Sequence, residues 1–327
     1  MLKVLYQWIG IGFYLLIMSV QAQESMKVVA TFSILAEFVE IVSEDLVEVT
    51  TLVGRNGDVH EYKPTPHDSV AIADAALVFE NGLEFETWLD DLYRASGSSA
   101  IRVVVSEGIV PRPVTEFGDH SEGEEAHEGE EAHEGETHAG NEENAHEHGE
   151  FDPHVWQNPR LVMTMIDNIA AALATADPAN KATYTANAET YKAELKQLDT
   201  DLQAQAGTLT PEQRKLVTSH DAIGYFANRY GFVVIGAVIS YVTTENSDAS
   251  AGELAKLMDS ITAAKVPAIF VENTGSIELI EQIAHSANIV VSPALYTDAL
   301  GEKGTKGETY VGMMRYNMDV IVEALSQ

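Results

Sequence analysis

Histidines have the strongest claim to chemistry in this sequence, and their placement is uneven. Of 11 histidines, six crowd one acidic stretch: His120, His127, His133, His138, His146 and His148. The other five are His60, His67, His154, His220 and His285. His60 closes the turn-like Gly54-Arg-Asn-Gly-Asp-Val-His60 after a β-branched run, and His220 directly follows a second such run, residues 215–218. His154 lies in Phe151-Asp-Pro-His-Val-Trp156, ahead of a helix opening near Pro159. Asp298, in Leu295-Tyr-Thr-Asp-Ala-Leu-Gly301, follows the last β-branched run. Singly, each histidine reads equally as a hydrogen-bonded structural residue, and Asp298 as a turn residue. Together they are three imidazoles and one carboxylate, a donor set that suits Zn²⁺ and is tolerable for Mn²⁺. His67 belongs with the first turn of the helix after Pro66, and His285 with the exposed face of a later helix. Cysteine is absent, which excludes disulfides, thiolate metal sites, cysteine nucleophiles and a lipid-bearing cysteine.

Positioning these residues requires a βα repeat. Residues 27–31, 47–53, 76–79 and 101–105 read as strands, with helices near 33–44, 66–75 and 84–95. The pattern returns with strands at 215–218, 232–235, 268–271 and 289–292, and helices near 222–230, 250–264, 276–287 and 309–325. The fold class is therefore α/β, in two lobes, each a small parallel sheet flanked by helices. His60 and His220 fall at C-terminal strand ends, where open parallel sheets collect ligands. Between the lobes, Asp177-Pro178 starts a helical pattern in which Tyr184, Tyr191, Leu195, Leu198 and Leu202 keep one apolar face up to Gly207. It reads as one long rigid helix joining the lobes, a rod of roughly 43 Å that limits hinge bending, or alternatively as an ordinary surface helix of one lobe. The expected boundaries are a signal peptide at 1–22, an N-terminal lobe at 23–177, the linking helix at 178–207 and a C-terminal lobe at 208–327.

With 51 acidic against 19 basic residues the formal net charge is −32, so nucleic acid is excluded as a partner. Thirteen of the acids lie in residues 119–150, a near-repetitive tract (Glu122-Gly-Glu-Glu-Ala-His127 and its echoes) with no Lys, no Arg and nothing large to bury. Such a segment reads as a mobile loop whose six histidines and carboxylates collect zinc weakly. The apolar stretch from Trp8 to Val20, ending in Ser19-Val-Gln-Ala22, is short for a membrane span and reads as a cleaved signal peptide.

The quoted motifs resemble those of the zinc and manganese solute-binding proteins of bacterial ABC importers, the ZnuA and TroA group. Val59-His-Glu-Tyr-Lys-Pro-Thr-Pro66, Asp152-Pro-His-Val-Trp156 and Thr218-Ser-His-Asp-Ala222 are similar to its first three ligand motifs. Tyr296-Thr-Asp-Ala-Leu-Gly301, with Gly307-Glu-Thr-Tyr-Val-Gly-Met-Met314, resembles the fourth. The resemblance implies metal ligation by His60, His154, His220 and Asp298, and two lobes joined by a long helix. It also implies a periplasmic monomer that hands its ion to an inner-membrane permease with a cytoplasmic ATPase. Two departures stand out: Val59 replaces the family's usual proline, and His220 stands where manganese-dedicated members often carry a carboxylate. The expectation is a zinc-binding importer component that is not an enzyme, with a manganese-binding protein of the same family as the alternative. From other classes, a metal buffer or adhesin would act through the tract, and a zinc hydrolase would use Glu61 as its base.

Overall fold

The computed structural model describes residues 25–114, 150–237, 258, 259, 261–273, 278–287 and 289–326. The expected signal peptide, the six tract histidines His120, His127, His133, His138, His146 and His148, and most of the helix near 250–264 lie outside the described residues. Among those described, no helix is long and apolar enough to cross a membrane.

In the N-terminal half, β1 (Met26–Phe32), β2 (Val47–Val53), β3 (Leu77–Glu80) and β4 (Ile101–Val104) form a parallel sheet in the order β2-β1-β3-β4. β1 passes straight into α1 (Ser33–Ser43). Its alternating residues serve two cores: Val28, Ala30 and Phe32 face one, while Val29 packs on the other with Leu52, Ile72, Val78 and Leu89. The second core is closed by α2 (Pro66–Asp74) and α3 (Leu89–Ser96). α3 starts five residues later than the sequence pattern suggests, because Leu83 and Glu84 take left-handed backbone (φ 55° and 60°), which no right-handed helix contains.

The C-terminal half repeats this order. β5 (Lys215–Thr218) pairs in parallel with β6 (Val233–Ala237), and β7 (Ala268–Ile269) with β8 (Val290–Val291). The Phe270 amide bonds the Val217 carbonyl at 2.8 Å and so joins the two pairs into β6-β5-β7-β8. β7 and β8 are shorter than the expected strands. In both halves the first strand is interior, so its C-terminal end opens between neighbours.

Between the halves, α4 (Pro159–Ala176) leads through a 3₁₀ turn, Pro178–Asn180, into α5 (Lys181–Ala206). Asp177 holds this corner by accepting Asn180 Nδ2 and Tyr184 Oη, both at 2.7 Å. At 26 residues, α5 is about 39 Å long. Near its start Asn187 Nδ2 donates to the Val42 carbonyl of α1 at 3.1 Å. Further along, the buried Asp199 takes both arms of Arg229, at 2.7 and 2.6 Å, from α6 (Gly224–Tyr230). Tyr184, Tyr191, Leu195, Leu198 and Leu202 of α5 are buried in one continuous core. That core also holds Phe32 and Phe38 from the first half and Phe226, Met313 and Met318 from the second.

Candidate metal centre

Each of the four candidate side chains is delivered by a loop at the open edge of a sheet. After β2, the turn bends sharply at Gly57, where a Cβ would meet Val53 Cγ1 at 2.8 Å and the Gly54 carbonyl at 2.9 Å. Asp58 Oδ1 then accepts the amides of His60 (2.8 Å) and Glu61 (3.3 Å). The preceding Val59 is fully buried and its carbonyl accepts Trp88 Nε1 at 3.0 Å, so packing fixes the loop without a proline at this position. The His60 ring stands edge-on to Phe85, centroids 5.1 Å apart.

His154 is fully buried. Asp152 Oδ1 accepts both its backbone amide (2.9 Å) and its Nδ1 (2.8 Å), which turns Nε2 toward the centre. Asp152 Oδ2 in turn accepts Arg112 Nη1 at 2.8 Å. Room for that guanidinium exists because residue 224 is glycine: a Cβ there would lie 1.4 Å from Arg112 Nη1 and 2.9 Å from Asp152 Oδ2. Gly224→Ala must therefore push Arg112 off Asp152 while leaving the four candidate side chains in place. We expect about a tenfold loss of metal affinity with little change in the melting temperature of the metal-free protein, checked by chelator competition and calorimetry.

His220 follows β5. Its Nδ1 pairs with Glu272 Oε2. Asp298, from the C-terminal half, lies in a loop held by the N-terminal one: Trp156 Nε1 and Gln157 Nε2 donate to the Thr297 carbonyl at 2.7 and 2.8 Å, and Ser33 Oγ accepts the Leu300 amide at 3.0 Å. Arg55 Nη1 spans the loop beyond, donating to the carbonyls of Gly301 (2.7 Å) and Glu308 (2.6 Å).

The structure thus brings His60, His154, His220 and Asp298 together, with one ligand atom of each lying within 4.8 Å of all the others. From Asp298 the imidazole Nε2 atoms stand at 3.4 Å (His60), 3.6 Å (His154) and 3.2 Å (His220). A tetrahedral ion with bonds near 2.05 Å sets its ligands about 3.3 Å apart, so each of these carboxylate–imidazole spacings is near that of two ligands on one ion. Both carboxylate oxygens take part, Oδ1 facing His154 and Oδ2 facing His60 and His220. His67 is exposed on the first turn of α2, and His285 is exposed on α7 (Glu278–Ala287).

Electrostatics favour a cation here. Burial presses His154 and His220 toward their neutral forms, but neighbouring carboxylates outweigh it. Asp298 and Asp152 raise the pKa of His154, and Glu272 and Asp298 lift that of His220 well above the ordinary 6.5. Conversely, burial would raise Asp298, yet His154 and His220 hold it well below the usual carboxylate range.

Sequence reasoning missed Glu272, Arg112 and the role of Asp152. Glu272 could have been found by the rule that singled out His220, since it follows the β-branched run 268–271 at a strand end. Arg112 carried no local signal.

A family profile described as "Zinc-uptake complex component A periplasmic" matches residues 28–324. The manganese-binding lipoprotein MntA of Halalkalibacterium halodurans is 31% identical over 305 residues, covering 93% of this chain and 90% of that protein. The periplasmic zinc binding protein TroA from Treponema pallidum has a TM-score of 0.76 at 30% identity, over 93% of this chain and 100% of its own. A periplasmic metal binding protein from Candidatus Liberibacter asiaticus gives 0.75 at 26%, over 92% and 100%.

Proposed function

This chain belongs to the zinc-uptake complex component A family and is a metal-binding protein of ABC import systems, and from that premise we propose that its cargo is Zn²⁺. The ion is captured between the lobes by His60, His154, His220 and Asp298 and delivered by a periplasmic monomer to a membrane permease driven by an ATPase. The observation that carries the zinc reading is the donor set, three imidazole nitrogens and one carboxylate gathered within 4.8 Å of one another. Four protein ligands leave no open position for an activated water, which supports a carrier over a hydrolase. Glu61, the candidate base, is exposed. The sequence contains no cysteine, the residue on which a lipoprotein anchor is built.

A second reading, manganese, is favoured by Asp298, whose two oxygens both face imidazoles and could bind together to raise the coordination number. The 31% identity to a manganese-binding lipoprotein points the same way. Purified protein equilibrated with competing Zn²⁺ and Mn²⁺ decides between them. We expect one equivalent of tightly held zinc that excess manganese does not displace; manganese retention under that competition would reverse the assignment. The same measurement after deletion of residues 119–150 should keep the tight equivalent and lose only weak ones. The four ligands His60, His154, His220 and Asp298 already stand together without any residue of the tract. Loss of the tight site with the fold intact would place the tract in the primary coordination sphere.

A further inference from the structure

The geometry assigns Glu272 a positioning role for the metal site proposed above, on which this inference rests: it ties His220 and the Asp298 loop into one unit and so sets two of the four ligands against each other. Glu272 is buried three residues past the end of β7, and its two oxygens meet four donors. Oε1 accepts Ser219 Oγ at 2.6 Å and the His220 amide at 2.9 Å; Oε2 accepts Thr297 Oγ1 at 2.8 Å and pairs with His220 Nδ1. Thr297 precedes Asp298 directly, and a parallel bridge from Glu272 to Leu295 lays that segment alongside. An ionised carboxylate has about four acceptor positions, so this one is fully used.

Asp152 differs. It serves one ligand, through the amide and Nδ1 of His154, and spends its second oxygen on Arg112. Among the described residues, Glu272 is the carboxylate hydrogen-bonded both to one candidate ligand and to the residue beside another. A bond from Nδ1–H fixes the tautomer with its Nε2 lone pair on the ion and strengthens that nitrogen as a donor.

Glutamine at 272 has the same shape but only one acceptor oxygen. If that oxygen keeps His220 Nδ1 and Thr297, the new amide group confronts the His220 N–H, donor against donor. If it turns over, the amide group confronts Nδ1 and selects the wrong tautomer. Thr297→Val removes only the tie to the Asp298 loop and leaves the carboxylate and His220 together.

The test is Zn²⁺ titration against a chelator for wild type, His220→Ala, Glu272→Gln, Thr297→Val and the Glu272→Gln/Thr297→Val double variant. Nitrogen-correlated NMR of the His220 Nδ1 proton accompanies it. Glu272→Gln should weaken binding about 10- to 100-fold and shift or lose the Nδ1 resonance, according to which way the amide turns. Thr297→Val should weaken it about three- to tenfold and keep the resonance, and the double variant should match Glu272→Gln within about twofold, since Thr297 acts through Glu272. Wild-type affinity in Glu272→Gln, or effects that multiply in the double variant, would overturn the proposal. Should Glu272→Gln fail to fold, unchanged affinity in Thr297→Val overturns it alone. An absence of tight zinc in the wild type, or an unaffected His220→Ala, would instead bring down the metal-site reading itself.

Discussion

His154→Ala and His220→Ala should each lower zinc affinity by two to three orders of magnitude. Four-ligand zinc sites bind with roughly 10–16 kcal/mol, so one ligand of four accounts for about 3–4 kcal/mol, and each 1.4 kcal/mol is tenfold. A water can fill the vacated position but returns little, because neither the loop nor its hydrogen bonds hold it there. His154 should show the larger effect, because it is fully buried whereas the His220 side chain keeps some exposure. Competition titration with a fluorescent chelator reads both values. Wild-type affinity in either variant would mean that the ion sits elsewhere.

Metal binding should displace protons from His154 and His220, so affinity should fall as pH drops through their raised pKa values. In the metal-free protein the carboxylates of Asp298, Glu272 and Asp152 converge on the centre, with Arg112 paired to Asp152. Asp221, buried beside them, is pushed toward its neutral form by burial and by Asp152. These carboxylates outnumber the one guanidinium, so the centre carries an excess of negative charge. Protons on His154 and His220 offset that excess when no ion is bound, and a divalent ion does so when it is. The raised pKa of both histidines, despite burial, is the expression of that balance. Metal needs the neutral imidazole, so affinity is complete above the raised pKa values and declines as pH falls through them, beginning above the ordinary 6.5. The two histidine protons act on the metal-free fold in the opposite sense. A raised folded-state pKa contributes stability that is complete below about 6.5 and is lost as pH rises through the folded value. Calorimetry in buffers of different ionisation enthalpy at pH 7 should count the released protons directly. A count near zero would show that the histidines are already neutral and the charge balance is made otherwise.

Both effects depend on residues of different legibility. The runs 47–53 and 215–218 match β2 and β5 residue for residue, because β-branched residues favour extended backbone both inside a sheet, where β5 lies, and at its edge, where β2 lies. The long helix was equally readable, since its buried face of Tyr184, Tyr191, Leu195, Leu198 and Leu202 repeats at helical spacing. His60 and His220 stood out because strand ends are visible in that pattern, and His154 and Asp298 through their motifs. These are local properties, encoded by neighbours in the chain.

What the tertiary structure alone decided are relations across long stretches of sequence. No periodicity says that Asp298 lies 3.4 Å from His60, or that Glu272 reaches back to His220 while also gripping Thr297. Arg112 finds Asp152 only because Gly224, from a helix in the other half, leaves the space. The late start of α3 likewise follows from left-handed backbone at Leu83 and Glu84, residues whose types do not announce it. The sequence by itself determined which elements form and which side chains stand at their ends, because those follow from hydrophobic spacing and local backbone preference. The distances, the hydrogen-bonded carboxylates and the proton affinities of the imidazoles follow from packing two lobes on one shared core. Burial there strips away water and lets charges from distant parts of the chain set one another's state.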